Sequence, residues 1–354
     1  MSRFLSDKYS KLIPYTPGEQ PKEMEYIKLN TNESPFSPSP KAVKYAAKEA
    51  ERLNLYPDPE CRVLTQKLAD KLGVEFDEVL LTNGSDEILN FAFMAYCDFK
   101  NGAIFPDITY GFYKVFADLY NIDAVQVPLN SDFTIDITKY FNCGRTVFIA
   151  NPNAPTGIAL SLSEIEKIII NNPDNIVVID EAYVDFGNES CVNLIHKYDN
   201  LLVTQTFSKS RSMAGARLGF GVGCKELIRD LNTVKYSTNP YNINKMTMAA
   251  GIGVLEDEEY TLNNCREIVK NREFVTNELK NLGFEMTNST ANFIFVKHNE
   301  IDGKELYLKL KENGVLVRHF DKNIISQYNR ITIGTKSQMT TLLDTIKRIM
   351  EEQI

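Results

Sequence analysis

The sequence predicts an α/β protein: a large, mostly parallel sheet domain covered by helices, with a smaller α/β domain appended. Three observations predict it. Short apolar runs at 78–82, 103–106, 146–150, 176–179 and 201–204 alternate with stretches of helical period at 86–96, 110–120 and 163–170. The runs are apolar throughout rather than every second residue, as in strands buried on both faces. The 354 residues are 43% hydrophobic and 24% charged, which supplies a substantial core. Beyond about Asn242 the texture changes to long helical stretches followed by a second group of short apolar runs.

Taken in order, the stretch through Pro40 carries Pro14, Pro17, Pro21, Pro35, Pro38 and Pro40 and should be extended or irregular. A helix is predicted over 41–53, opened by proline, and another over 61–72, stopped at Gly73. After the alternating region comes a glycine-punctuated strand, Leu218-Gly219-Phe220-Gly221. Helices over 243–255 and 257–282 then lead into runs at 293–297, 315–318 and 330–333, and a helix over 337–352 closes the chain. The predicted division is an N-terminal segment, 1–40, packed on the small domain, a large domain over 41–255 and a small domain over 256–354.

Lys plus Arg is 39 and Asp plus Glu is 47, a formal charge of −8, which argues against a nucleic-acid surface. No apolar run reaches the roughly 18 residues of a membrane span. The charged start, Met1 to Lys11, lacks the apolar stretch of a signal peptide, so a cytoplasmic location is expected. Cys61, Cys97, Cys143, Cys191, Cys224 and Cys265 are far apart and should be reduced. His196, His298 and His319 have no metal-ligand spacing, so neither a zinc site nor a Ser-His-Asp triad is easily built. The chemistry must rest on other groups.

Ligands of such sheets bind where the strands end. Asp180 ends the run Val177-Val178-Ile179, although alone it would serve equally as a cap for the next segment. Thr206-Phe207-Ser208-Lys209 ends another strand, and Arg217 follows eight residues on. Lysine, hydroxyls and arginine at one strand end form an anion pocket with a potential nucleophile in it. Asn83-Gly84-Ser85-Asp86 is a glycine turn into a helix whose amides could hold phosphate, or a simple N-cap. Thr109-Tyr110-Gly111-Phe112-Tyr113 sets an aromatic at a loop-to-helix junction, and Asn151-Pro152-Asn153-Ala154-Pro155-Thr156-Gly157 is too rigid for a linker.

These motifs, in this order, resemble the fold-type I aminotransferases that use pyridoxal 5′-phosphate, over nearly the whole chain. Leu29-Asn30-Thr31-Asn32-Glu33-Ser34-Pro35, Leu55-Tyr56-Pro57-Asp58-Pro59 and Arg330-Ile331-Thr332-Ile333-Gly334-Thr335 are similar to the histidinol-phosphate aminotransferases in particular. The resemblance implies that Lys209 forms the Schiff base with the cofactor and then moves the substrate's α-proton. Asp180 would pair with the pyridine nitrogen, Tyr183 would donate to O3′, and Tyr110 would stack on the ring. Thr206, Ser208, Arg217 and the amides of Ser85 and Asp86 would hold the phosphate. Tyr56 would reach the site of a neighbouring subunit in a homodimer.

One residue departs from the family pattern. Ala154 stands where the family usually has an asparagine that reaches O3′, so Asn153 or water would have to supply that bond, worth about 0.5–1.5 kcal/mol. The resemblance also implies a cis Ala154–Pro155 bond. Arg330 with Arg318 and Tyr15 would form one anion site serving both glutamate and imidazole acetol phosphate or histidinol phosphate, with Asn32 and Asn30 lining the cleft or merely turning the chain. The expected reaction is ping-pong transamination in histidine biosynthesis. The competing readings are a phospho-amino-acid decarboxylase resembling threonine-phosphate decarboxylase, and a non-catalytic protein of the same fold. Against the latter, no DNA-binding segment is expected before the fold, and Lys209, Asp180 and Arg217 are all present.

Overall fold

The computed structural model describes residues 2–10 and 12–352. The readings that touch Met1, Lys11, Gln353 and Ile354, namely the ends of the charged start and of the first and last predicted units, lie outside the described residues.

The N-terminal segment runs largely without regular structure to β1 (Ile27–Lys28), then passes into α1 (Pro40–Ala50) and α2 (Arg62–Leu72). Ser39 caps α1 by accepting from the Ala42 amide, and Gly73, at φ 71°, ends α2 in the left-handed region that suits glycine. The sheet and its crossovers follow as β2 (Val79–Thr82), α3 (Ser85–Tyr96), β3 (Ala103–Pro106), α4 (Phe112–Tyr120), β4 (Ala124–Val127), β5 (Thr146–Ala150), α5 (Leu162–Ile170), β6 (Val177–Asp180), β7 (Leu201–Thr206) and β8 (Gly219–Gly223). The seven strands lie in the order β2-β8-β7-β6-β5-β3-β4. From β7 to β4 every pairing is parallel, while β8 runs antiparallel to both β7 and β2. Residues of β5, β6 and β7 are buried at every position. Val147, Ile149, Ile179 and Val203 enter one apolar core, and Phe148, Val178 and Leu202 enter the other, on the opposite face.

α6 (Lys225–Thr238), α7 (Lys245–Leu255) and the 24-residue α8 (Glu258–Asn281) lead out of this domain. At 1.5 Å per residue α8 spans about 36 Å. The remaining elements are β9 (Phe284–Met286), β10 (Phe293–His298), α9 (Gly303–Glu312), β11 (Val315–Leu316), β12 (Arg318–His319), β13 (Asn329–Thr332) and α10 (Lys336–Glu351). The order β12-β13-β10-β9 makes an antiparallel sheet, packed with apolar residues of α8, α9 and α10. β1 pairs in parallel with β11, and Leu29 is buried in the same core.

The structure differs from the sequence reading in seven places. The run 315–318 divides between two sheets, β11 taking Ile27–Lys28 as partner and β12 joining β13. The first helix stops at Ala50 rather than 53, and α4 begins at Phe112, which leaves Tyr110 on the preceding loop. α6 and α9 were not anticipated, and β4, whose central residues are exposed, has no uniformly apolar run to announce it. The glycine-punctuated strand is Gly219–Gly223 rather than one beginning at Leu218. Among the described residues, no helix is long and apolar enough to cross a membrane, and the six cysteines are free.

Candidate active site

Three parallel strands end beside one another, and their last residues build a cavity of about 340 Å³. Asp180 is the final residue of β6 and is 4% exposed. Its Oδ2 accepts from the hydroxyl of wholly buried Tyr113 at 3.1 Å, and its Oδ1 from the Ala182 amide at 3.2 Å. Burial pushes the carboxyl up to about 7, and the nearby Asp86 and Glu181 carboxylates add to that rise, while the two donors oppose it. No cation pairs with Asp180 among the described residues. A buried carboxylate in that condition is an acceptor for a protonated ring nitrogen.

Lys209 sits three residues beyond β7, in a turn fixed by Thr206 Oγ1, which accepts from the Ser208 amide at 3.0 Å. On the far side of the turn Asp185 accepts from the Ser210 hydroxyl and from Arg211 Nη1, the latter at 3.2 Å. Asp185 follows Tyr183 by two residues, so one carboxylate ties the lysine's turn to the tyrosine's. Lys209 Nζ donates to the Thr31 carbonyl at 3.2 Å and lies 5.8 Å from the centre of the Tyr183 ring. Burial, then the Arg330 charge, lowers its pKa to about 8, with Glu33 and Asp86 pulling the other way. A substantial neutral fraction near physiological pH is what a nucleophilic amine needs.

At the other end of the cavity, Gly84 (φ 78°) turns the chain into α3, whose first residues are Ser85 and Asp86. Gly219 makes this possible, since a Cβ there would collide with the Ser85 amide nitrogen and the Gly84 carbonyl carbon. Arg217, held at φ 54°, a left-handed conformation costly for a residue with a Cβ, donates to Asp86 Oδ2 at 2.8 Å. Tyr110 donates to Asp86 Oδ1 at 2.6 Å, and its ring meets Tyr113 edge-on. Thr206, Ser208, Ser85 and Arg217 line this end of the cavity. Hydroxyls, a guanidinium and a helix N-terminus together suit a phosphate.

A second cavity, about 630 Å³, opens outward from Lys209, Tyr110 and Tyr183. Arg330 Nη2 donates to the Asn30 carbonyl at 3.0 Å, whereas its buried Nε has no partner. Arg318 donates only to the carbonyls of Thr16 and Pro17, each at 3.3 Å. Neither arginine meets a carboxylate among the described residues, so the cavity presents two cations ready for an anionic ligand. Tyr15 lines the same space, stacked on Phe112 with centroids 4.4 Å apart. Asn32 is buried at φ 55°, donates from Nδ2 to the Tyr183 hydroxyl at 2.9 Å and accepts from Thr332. With its oxygen already accepting from Asn32, the Tyr183 hydroxyl has its own proton to give.

The rigid loop after β5 has cis bonds at Asn151–Pro152 and Ala154–Pro155. Ala154 lines both cavities. Asn153 lines neither. Its amide donates to the Ile108 carbonyl (2.9 Å) and Thr156 Oγ1 (3.1 Å), and its oxygen accepts from Thr109 (2.7 Å). Both of its donors are spent on holding the loop. Tyr56 is 79% exposed, stacked on Tyr241 with centroids 4.7 Å apart, and lines neither cavity of its own chain. The sequence reading missed Tyr113, Thr31 and Asp185. Tyr113 could have been found from its one-turn spacing after Tyr110, but the carbonyl of Thr31 leaves no mark in the residue type.

Residues 24–346 match the family model for aminotransferase class I and II, so the chain belongs to that class. Histidinol-phosphate aminotransferase of Brachyspira hyodysenteriae is 49% identical over 99% of this chain and 100% of that protein. The Clostridium acetobutylicum enzyme of the same name is 45% identical over 98% and 99%. Within the class, the chain belongs to the histidinol-phosphate aminotransferase family. The fold agrees with that of the Sinorhizobium meliloti histidinol-phosphate aminotransferase in complex with pyridoxal 5′-phosphate, with a TM-score of 0.86, 21% identity and coverage of 93% of this chain and 92% of that one.

Proposed function

We propose that this chain transfers an amino group from glutamate to imidazole acetol phosphate, giving 2-oxoglutarate and histidinol phosphate, with pyridoxal 5′-phosphate as cofactor. The observation that carries this reading is a single cavity, lined by Lys209, Asp180 and Arg217, which shares Lys209 with an outer cavity holding two arginines that have no carboxylate partner among the described residues. The inner cavity fits the cofactor's chemistry: an unpaired buried carboxylate at Asp180, an amine at Lys209 and an anion cradle at Ser85, Thr206, Ser208 and Arg217. When bound, the cofactor supplies an aldehyde for the amine and a ring that accepts an electron pair.

The chain's own residues do the rest. Asp180 keeps the ring nitrogen protonated, and Tyr113 keeps Asp180 oriented and anionic once it faces that positive charge. Tyr183 donates a hydrogen bond from its hydroxyl to the ring oxygen, its own oxygen already accepting from Asn32. Tyr110 covers the ring. Lys209, as a free amine, would take the proton from the substrate's α-carbon and later give it back. Arg330 and Arg318, with Tyr15, hold the distal anion and orient the α-proton towards the lysine.

In this reading two copies form the working enzyme, and Tyr56 completes the phosphate cradle of its neighbour. Its exposure and its absence from the chain's own cavities support that role. The free cysteines suit a reducing compartment, and the reading places the enzyme in the cytoplasm.

The test is a half-reaction panel. Glutamate should convert the cofactor-loaded protein to its amino form with release of 2-oxoglutarate, and histidinol phosphate should do the same more efficiently than phenylalanine. Borohydride should fix the cofactor on the peptide carrying Lys209, and Lys209→Ala should abolish turnover. Carbon dioxide release from threonine phosphate, without amino transfer from glutamate, would overturn the reading in favour of a decarboxylase.

A further inference from the structure

One wall of the outer cavity carries more cation than a carboxylate substrate uses. β12 contributes Arg318, and the chain then continues through Phe320 to Lys322. These three alternate positions all line the cavity, as expected when successive residues of an extended chain face opposite sides. The intervening residues are paired away from it, His319 with Asp321 at 3.7 Å and Asp321 with Lys304 at 3.5 Å. Lys322 Nζ donates to the main-chain carbonyl of Asp107 at 2.6 Å, across the cleft between the small and large domains. It has no carboxylate partner among the described residues. The Asp107 carboxylate is taken by the Leu129 amide (3.1 Å); of the other two lysines of this cavity, Lys209 is the one shared with the inner cavity and Lys114 is paired with Asp118 (2.9 Å).

Ligand charge gives this arrangement its meaning. The proposed substrates, on whose identity the inference rests, differ at the distal end. Glutamate presents one negative charge, and a phosphate monoester presents nearly two near neutral pH. Arg318 and Arg330 suffice for the carboxylate. An ammonium held only by a neutral carbonyl can turn to a dianion with little loss. We infer that Lys322 is a specificity residue of the outer cavity, a third cation that engages phosphate-bearing substrates and contributes little to glutamate.

The test uses the full-length, cofactor-loaded protein and its Lys322→Met and Lys322→Arg variants. For Lys322→Met the ratio of kcat/KM for histidinol phosphate to that for glutamate should fall about five- to tenfold, mainly through KM, and Lys322→Arg should restore it. Inorganic phosphate, tested as an inhibitor of the glutamate half-reaction, should lose potency by a similar factor in Lys322→Met. An equal loss on both substrates would overturn the inference and leave Lys322 as a tie between the domains. An unchanged ratio would overturn it too. Failure of the wild-type protein to accept histidinol phosphate would instead count against the proposed reaction, with the inorganic-phosphate comparison still judging the lysine.

Discussion

Exchanging Asp180 for asparagine removes one charge from an enclosed site, and its effect on the cofactor-free protein can be worked out. Burial is the main reason the carboxyl rises from an ordinary 3.8 to about 7. Between those values the folded protein keeps a proton that the unfolded chain has released. The side chain's contribution is therefore most favourable below pH 3.8 and is lost as the pH rises through about 7. At about 1.4 kcal/mol per pH unit the penalty is about 2 kcal/mol at pH 5 and about 4 kcal/mol at pH 8. Asparagine carries no such penalty. The stability of Asp180→Asn relative to wild type should thus improve by about 2–3 kcal/mol between pH 5 and pH 8, on top of a constant offset from altered hydrogen bonds. Urea unfolding of both cofactor-free proteins at the two pH values, followed by circular dichroism, measures this directly. Meanwhile, amino transfer by the loaded variant should fall by about a hundredfold or more, a case of stability set against function. A gap independent of pH would refute the claim that Asp180 is a buried, unpaired acid.

Two further outcomes follow from the same geometry. Tyr113→Phe deletes a hydrogen bond to a carboxylate, worth about 1.5–3 kcal/mol; the proton affinity of Asp180 should rise by about one to two pH units. The carboxylic-acid band in infrared pH titration of the cofactor-free protein reads that shift, and kcat should fall with it. Gly219→Ala would force the Ser85 turn away from β8; cofactor affinity should drop by about tenfold or more in an absorbance titration while the far-ultraviolet spectrum stays unchanged.

The parts legible in the sequence were those in which one residue type serves one strong local cause. Strands buried on both faces have no alternation to hide them, and β3 and β5 were located to the residue. Gly73 at the end of α2, and Lys209, Asp180 and Arg217 at strand ends, were readable for the same reason. Elements that depend on partners were not. β11 and β12 are two residues each and acquire their identity from what they pair with, respectively Ile27–Lys28 and Arg330–Asn329. An asparagine in a rigid loop looks the same in sequence whether its amide faces a ligand or, as the amide of Asn153 does, its own loop. Thr31 contributes a carbonyl, Asp185 steadies a turn from outside, and Lys322 becomes notable only when the cavity wall is assembled.

The residues joining β1 to α1 deserve to be treated as chemistry rather than as a tail. The carbonyl of Asn30 holds Arg330, the carbonyl of Thr31 holds Lys209, and the side chain of Asn32 holds Tyr183. Three successive residues thus steady Arg330, Lys209 and Tyr183 in turn, two through their carbonyls and one through its side chain. Because β1 is stitched to β11 and Asn32 to Thr332, any hinge movement that carries the smaller lobe inward drags this ribbon along. One short ribbon thus links the small sheet to Arg330, Lys209 and Tyr183 together.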